Sequence, residues 1–377
     1  MAMEFSRPDN ARKLNRLRVL SAINENENLT RASLSTLLGL NKVSTGEIVS
    51  ALIAEGYIEE TGKLETRGGR PGTALRLKAD SAVVLGCDIK TRSCQVAIFD
   101  LTARPLRSEQ FPLEGIESAK ELRDRIIRVA AKMVQLAKKK VLGMVIATSG
   151  NIQGQTLTST PVQFLTGTDF SSLFEGCPFP VALESSLEAE AEAERFHYQI
   201  PLENLLLVNW GEHLASALIL KDRILPNTAF AHMPVARTGL CHCGGIGCLE
   251  TISSGYGIRV QAISQGGADI SVREMMKNEE RYKGLLEKAA QYLGRALINA
   301  FSATGARGAI ITGGLANLPD YYYALLLDIV EKEGGPSFSQ LPIYRSEYRE
   351  KGSLQGAGVL ALDRFFFQKN LLLSLGM

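Results

Sequence analysis

Leu14, Leu17, Leu20 and Ile23 recur at three-residue steps through a charged stretch, and this spacing predicts an amphipathic helix over Asn10–Asn24. Thr30 stands where a helix N-cap belongs, and the short segment after it stops at Gly39. A second start follows at Asn41 and runs to Leu52. The pattern is helix, glycine-containing turn, helix. Its predicted buried seam is Ala32, Leu34, Leu37, Leu38, Leu40, Val43, Ile48 and Leu52. That leaves Lys42, Ser44, Thr45 and Glu47 near the start of the second helix. Tyr57–Gly62 and Thr73–Leu77 read as the two strands of a hairpin, whose connection includes Thr66-Arg67-Gly68-Gly69-Arg70-Pro71-Gly72.

The pattern changes near Ala79–Ser81, without a Pro- or Gly-rich linker. Ala82–Ile89, Ser93–Asp100, Arg104–Pro112 and Val141–Thr148 read as strands, the last ending at Ser149-Gly150. Ser118–Lys138 reads as a helix capped by Ser118, with Leu122, Ile126, Ile127, Val129 and Met133 on its apolar side. Pro180–Glu184 is a short strand running into a helix over Leu187–Phe196. Leu205–Asn209 and Ala215–Leu220 form a hairpin, Ala309–Gly314 is a strand ending in a glycine turn, and Gln355 opens a final helix. Strand groups alternating with helices over this length predict a two-lobed α/β body behind a small helical head.

Composition narrows the class only slightly. Hydrophobic residues make up 45 % of the 377, as in ordinary soluble globular proteins. No run of about 18 apolar residues predicts a membrane span, and the first ten residues lack the apolar core of a signal peptide. A cytoplasmic protein is the expectation, which also fits cysteines that look unpaired. The formal net charge of +2 is silent about nucleic acid, so that question rests on local pattern.

The sharpest local signal is His232-Met233-Pro234-Val235-Ala236-Arg237-Thr238-Gly239-Leu240-Cys241-His242-Cys243-Gly244-Gly245-Ile246-Gly247-Cys248. Half of the ten Cys and His residues of the chain fall in this window. Three thiolates and an imidazole, from Cys241, Cys243, Cys248 and His232, make a tetrahedral shell for Zn2+. His242, between two ligand cysteines, is expected to point away. Four protein ligands leave no position for water, so the zinc is expected to be structural.

The head has a chemistry of its own. Three helices followed by a hairpin with a basic tip predict a winged helix-turn-helix that binds double-stranded DNA. Arg31, Asn41, Lys42, Ser44 and Thr45 are its candidate contacts on the helices, and Arg67 and Arg70 those on the wing. Glu47 repels phosphate but has the chemistry to accept a hydrogen bond from a cytosine amine.

The knuckle Cys-His-Cys-Gly-Gly-Ile-Gly-Cys-Leu-Glu, ending at Glu250, resembles the C-x-C-G-x-x-G-C-x-E signature of the ROK family of repressors, uncharacterised reading frames and sugar kinases. With the head and its R-G-G-R-P wing, the resemblance to the repressor branch spans nearly the whole chain. It implies a two-lobed actin-like ATPase or sugar kinase (ribonuclease H-like) body. It also implies a division into residues 1–80, 81–186 with 353–377 returning, and 187–352, the last bearing the zinc knuckle and a dimerisation surface. Family kinases carry D-x-G-G-T-K in the first hairpin; here Asp88 is followed by Ile89-Lys90-Thr91-Arg92. The E-N-D of the catalytic aspartate reads Glu184-Ser185-Ser186, and the second phosphate turn reads Trp210-Gly211-Glu212-His213. A serine is a poor general base and a carboxylate repels phosphate, so no catalytic residue is expected. On the sugar side Ala229 and Val162 stand where polar residues belong, while Glu184, His232 and Glu250 remain as candidate effector contacts.

The implied function is a non-catalytic regulator, a repressor of carbohydrate-related genes. It would bind a palindromic operator as a homo-oligomer, dimer or tetramer, under control of a sugar-type effector. The alternatives are an ATP-dependent sugar kinase with a regulatory head, and a regulator whose body binds a protein. The apolar segment Phe365–Leu373 suits either a final helix packed on the first lobe or the head, or a docking surface.

Overall fold

The computed structural model describes residues 8–63, 72–198, 204–220 and 223–368. The chain divides into two compact units, Met1–Glu184 with Ala357–Met377, and Ser185–Gly356.

The first unit begins with α1 (Pro8–Glu25), α2 (Arg31–Leu38) and α3 (Lys42–Ala54), followed by a hairpin of β1 (Ile58–Lys63) and β2 (Thr73–Leu77). Thr30 and Ser33 cap α2 reciprocally, and Gly39 ends it in the left-handed region at φ 63°. Asn41 caps α3 by accepting from the Ser44 amide at 2.7 Å. Leu17, Leu20, Leu34, Ile48, Val49, Leu52, Ile58 and Leu75 are buried in the head. The expected seam is corrected at three positions: Ala32 is exposed, and Leu37 and Val43 are 55 % and 73 % exposed. The cap at Asn41 sets the phase of α3, whose inward side carries Thr45, Ile48, Val49 and Leu52. Val43 therefore faces out and Thr45 faces in.

The body of this unit runs β3 (Ala82–Ile89), β4 (Ser93–Phe99), β5 (Pro105–Pro112), α4 (Ala119–Ala137), β6 (Lys140–Thr148), a small sheet of β7 (Asn151–Gln153), β8 (Thr156–Ser159) and β9 (Thr168–Asp169), α5 (Phe170–Leu173) and β10 (Val181–Ser185). The main sheet has the order β10-β6-β3-β4-β5. β3 is central and buried at every position, as its unbroken apolar run requires. α4 lays Leu122, Ile126, Val129, Ala130 and Met133 in the same core, at helical spacing.

The second unit holds α6 (Ser186–Tyr198), β11 (Leu205–Trp210), β12 (Leu214–Ile219), β13 (Ile224–Asn227), α7 (Glu250–Ser253), α8 (Gly255–Ser264), α9 (Val272–Met275), α10 (Glu279–Thr304), β14 (Ala309–Thr312), α11 (Asp320–Phe338), β15 (Ile343–Arg345) and the start of α12 (Gly352–Phe365). Its sheet order is β13-β12-β11-β14-β15. Both main sheets follow one plan. An antiparallel meander of three strands comes first, and its first strand then pairs in parallel with the fourth, β3 with β6 and β11 with β14. The order 3-2-1-4-5 recurs in each unit, and it agrees with the two-lobed actin-like body that the family resemblance implies. The knuckle lies in the long connection between β13 and β14.

α10 is the largest element the pattern does not announce. Much of its buried side is alanine and glycine, at 289, 290, 294, 296 and 300, which makes a weak apolar stripe. The same small residues let α11 approach closely: a Cβ on Gly294 would lie 2.9 Å from the Leu326 carbonyl oxygen. α12 begins in the second unit, where a Cβ on Gly356 would meet the Ala189 carbonyl oxygen at 1.6 Å. It ends in the first, where Gly358 packs on Phe99, and Phe365 covers Gly143 so closely that a Cβ there would meet its ring at 2.3 Å. The ring of Phe366 packs on Tyr57 of the head, with centroids 5.3 Å apart. Phe365–Phe367 thus serve internal packing, while Asn370–Leu373 lie outside the described residues. No helix among the described residues is long and apolar enough to cross a membrane.

Candidate functional site

Two strand-like bridges, Pro234 to Cys248 and Leu240 to Ile246, fold the knuckle back on itself. The Cys241 amide donates to the Gly245 carbonyl at 2.8 Å, and the Gly247 amide to the Gly239 carbonyl at 2.8 Å. Gly247 has φ 70°, and a Cβ there would lie 1.8 Å from the Ala236 oxygen, so only glycine fits. The turn brings the Cys241 Sγ to 3.6 Å from His232 Nδ1 and the Cys243 Sγ to 3.7 Å from the Cys248 Sγ. The four ligand atoms all lie within 4.8 Å of one another. With metal–sulfur bonds of about 2.3 Å and metal–nitrogen bonds of about 2.05 Å, a tetrahedron has edges of about 3.8 and 3.6 Å. The donor set therefore fits zinc in type and in size. Burial pushes the Cys248 thiol up to about 12, while the Gly245 amide pulls the Cys243 thiol down. His242 is not part of the four-atom group. Its ring stands edge-on to His232 at 5.5 Å, His213 at 6.1 Å and Tyr256 at 5.9 Å.

Glu250 opens α7 two residues after the last cysteine and is 1 % exposed. One carboxylate oxygen is 2.7 Å from His213 Nδ1 and the other accepts from the Leu214 amide at 2.9 Å. The hydrogen bond to Glu250 raises the His213 pKa above its ordinary value. His213 was legible in the sequence only as a member of an altered phosphate turn; nothing in its spacing marks it as the partner of Glu250. The same turn is held from two more sides. Trp210, the single tryptophan, donates through Nε1 to the Ser253 oxygen at 2.7 Å. Glu212 is paired with Arg259 at 2.5 Å. Knuckle, Glu250, His213 and the Trp210–His213 turn thus form one connected node in the second unit, and His232 and Glu250 both belong to it.

Glu184, the third candidate effector contact, lies in the first unit at the end of β10 and is ion-paired with Arg364 of α12. Desolvation raises its pKa against the pull of that arginine. Other kinase-like positions of this unit are also occupied by local partners. Asp88 is 2 % exposed and lies 3.5 Å from the Lys90 ammonium. Val162 is buried. In the second unit Ser185 accepts from the Leu187 amide at 3.2 Å, at the start of α6.

The head presents its candidate DNA contacts unevenly. Asn41 and Lys42 are exposed at the start of α3, and Ser44 is half-buried. Thr45 is fully buried and its hydroxyl donates to the Asn41 oxygen at 3.0 Å. Its expected place at the reading surface is thereby corrected. Arg31 is ion-paired with Glu60 of β1. Arg67 and Arg70 lie outside the described residues.

Comparison with known proteins adds the lineage. The ROK family model matches residues 84–364. The chain is 24 % identical over 256 residues to the xylose repressor of Caldicellulosiruptor bescii, spanning 64 % of each protein. It is 21 % identical over 399 aligned positions to the DNA-binding transcriptional dual regulator NagC of Escherichia coli, spanning 97 % of this chain and 96 % of that one. A solved ROK family transcriptional regulator, described as a homologue of the E. coli MLC protein, superposes with a TM-score of 0.79 at 20 % identity, over 97 % of this chain and 99 % of that one. The ROK hexokinase of Thermus thermophilus superposes with a TM-score of 0.63 at 20 % identity, over 75 % of this chain and 99 % of that one. The doubled sheet plan, the cysteine knuckle with Glu250 behind it and a match across 84–364 lead to one conclusion: the chain belongs to the ROK family.

Proposed function

We propose that this protein is a DNA-binding transcriptional regulator, a repressor of carbohydrate-related genes that answers to a sugar-type effector and transfers no phosphate. The observation that carries the reading is the extent of the likenesses. The regulator fold covers 97 % of the chain, head included, whereas the hexokinase fold covers 75 %. The relatives named above are called a xylose repressor and a transcriptional dual regulator. The chemistry of the kinase-like positions supports the same reading. Lys90 sits on Asp88, serines stand at 185 and 186, and Glu212 lies in the second turn, so neither a free general base nor an anion-friendly cradle is present there.

In this reading residues 1–80 are a winged helix-turn-helix, 81–186 with 353–377 the first lobe, and 187–352 the second. His232, Cys241, Cys243 and Cys248 hold a structural zinc, which fixes the backbone that carries Glu250. Asn41, Lys42, Ser44, Arg31 and the wing arginines Arg67 and Arg70 approach the duplex, with Thr45 packing beneath. The protein acts in the cytoplasm as a homo-oligomer on a palindromic site. Effector contact is assigned to His232 and Glu250 in the second unit and to Glu184 in the first, and the apolar side chains at Ala229 and Val162 suit a ligand less richly hydrogen-bonded than a hexose.

Fluorescence anisotropy with duplex fragments from the protein's own upstream region tests this directly. Saturable binding at modest salt, shifted by one sugar or sugar derivative from a thermal-shift screen, is the expected result. ATP-dependent phosphorylation of a sugar that is lost in Asp88→Asn would establish the kinase instead.

A further inference from the structure

The outward side of α3 carries side chains that the head itself does not need. Val43 is 73 % exposed. Glu47 and Ser50 are exposed on the same side, one and two turns on. Between them lies Gly46, where an added Cβ would meet nothing within 4 Å. A glycine inside a helix costs stability and here serves no packing within the head, and the exposed valine and carboxylate beside it make no contact that the head depends on. The carboxylate also differs from its neighbours at the far end of α3 and on β1. Glu55, Glu59 and Glu60 are neutralised by Arg16, Arg76 and Arg31, whereas Glu47 makes no ion pair among the described residues.

Resting on the DNA-binding reading, we infer that this side of α3 reads bases in the major groove: Val43 packs on a thymine methyl, Glu47 accepts from a cytosine N4 amine, and Gly46 lets the groove edge come close between them. The groove offers one apolar group, the thymine 5-methyl, and Val43 has no other chemistry to offer. A carboxylate is repelled by phosphates and by the N7 acceptors of both purines. Cytosine presents an amine donor with no adjacent acceptor in that groove, so it is the base that Glu47 suits. Residues four apart rise about 6 Å along a helix, close to two base steps of about 3.4 Å. Each half-site should therefore carry a thymine and a cytosine within about two steps of each other. Lys42, exposed beside Val43, supplies the phosphate contact that holds the helix in place.

The test is selection of a random duplex library by the full-length protein, followed by anisotropy titration of the selected site with wild type, Val43→Ala, Glu47→Ala and Gly46→Ala. Replacing the critical thymine by deoxyuridine removes only its methyl. That change is expected to weaken wild type several-fold and to leave Val43→Ala nearly unaffected. Glu47→Ala should lose the cytosine preference, a change of roughly 5- to 150-fold at one position, while binding unselected DNA more tightly. Gly46→Ala should raise thermal stability, because its Cβ enters open space, yet lower affinity for the selected site. If Val43→Ala and Glu47→Ala select the wild-type sequence with unchanged deoxyuridine sensitivity, the inference fails and the DNA-binding reading stands. If wild type enriches no duplex at all, both fail together.

Discussion

At the scale of single residues, Glu194 carries the clearest consequence. It sits on α6 with no exposed surface and accepts from the Ser346 hydroxyl, and its second oxygen has no partner among the described residues. Burial, reinforced by the charge of Glu347, raises its pKa from 4.5 to about 7. Below 4.5 the folded and unfolded chains both keep the proton, and burial costs nothing in charge. As pH rises from 4.5 to about 7 the unfolded chain releases it first, so stability falls across that window and then levels off. The full loss is on the order of 3 kcal/mol. Glu194→Gln keeps an acceptor for Ser346 and carries no charge. Calorimetry should find it more stable than wild type at pH 8 and nearly equal at pH 4; parallel stability curves would show that Glu194 ionises freely. His213 shows what spacing hides. Its identity is plain in the sequence, but its bond to Glu250 depends on a partner 37 positions away.

At the scale of elements, the knuckle and α12 behave differently. The knuckle is local: its ligands fall within 17 consecutive residues, and the glycine turns that aim them lie in the same window. Cys243→Ser or Cys248→Ser should release the one zinc expected per chain, read by elemental analysis. Trp210 gives a second readout, because its Nε1 is held by the Ser253 oxygen in the short helix that starts at Glu250. Chelation of the metal is expected to shift its emission to the red; an unchanged spectrum would separate the metal from this node. α12 is assembled from afar. Phe365, its last residue, covers Gly143, and Phe366 just beyond it packs on Tyr57 of the head; the apolar run from Phe365 suits such packing, but its partners lie far off in the chain. Phe366 is 7 % exposed, so Phe366→Ala should cost about 3–5 kcal/mol. The loss should appear as faster hydrogen exchange in β1 and α3. Protection there equal to wild type would mean that the head is stable without this ring.

At the scale of the whole molecule, the proposed activity depends on the head's charge in a measurable way. Log affinity for a duplex should fall linearly with log salt, at about 0.9 per phosphate neutralised. Replacing Arg67 or Arg70 by Ala should lower that slope by about one and leave sequence preference intact. A salt slope unchanged by both would remove the wing from the interface. The kinase reading makes the opposite demand, a free carboxylate base near the bound phosphates, and Lys90 on Asp88 together with serine at 186 argues against it.

By itself, the sequence determined what local spacing can encode: the five strands of the first main sheet and three of the second (not β13 or β15), the helix starts at Thr30, Asn41 and Ser118, and the Cys3His set with the glycines that fold it together. These depend on backbone geometry and on neighbours a few residues apart. Only the tertiary structure decided the facing of α3, where the cap at Asn41 turns Val43 out and Thr45 in. It also decided the alanine-lined burial of α10, the Glu250–His213 bond and the partner of Glu184. The last three join groups far apart in the chain, 36 or more positions for Glu250 and the 212–214 turn and 180 for Glu184 and Arg364, so no short window contains both members of such a pair.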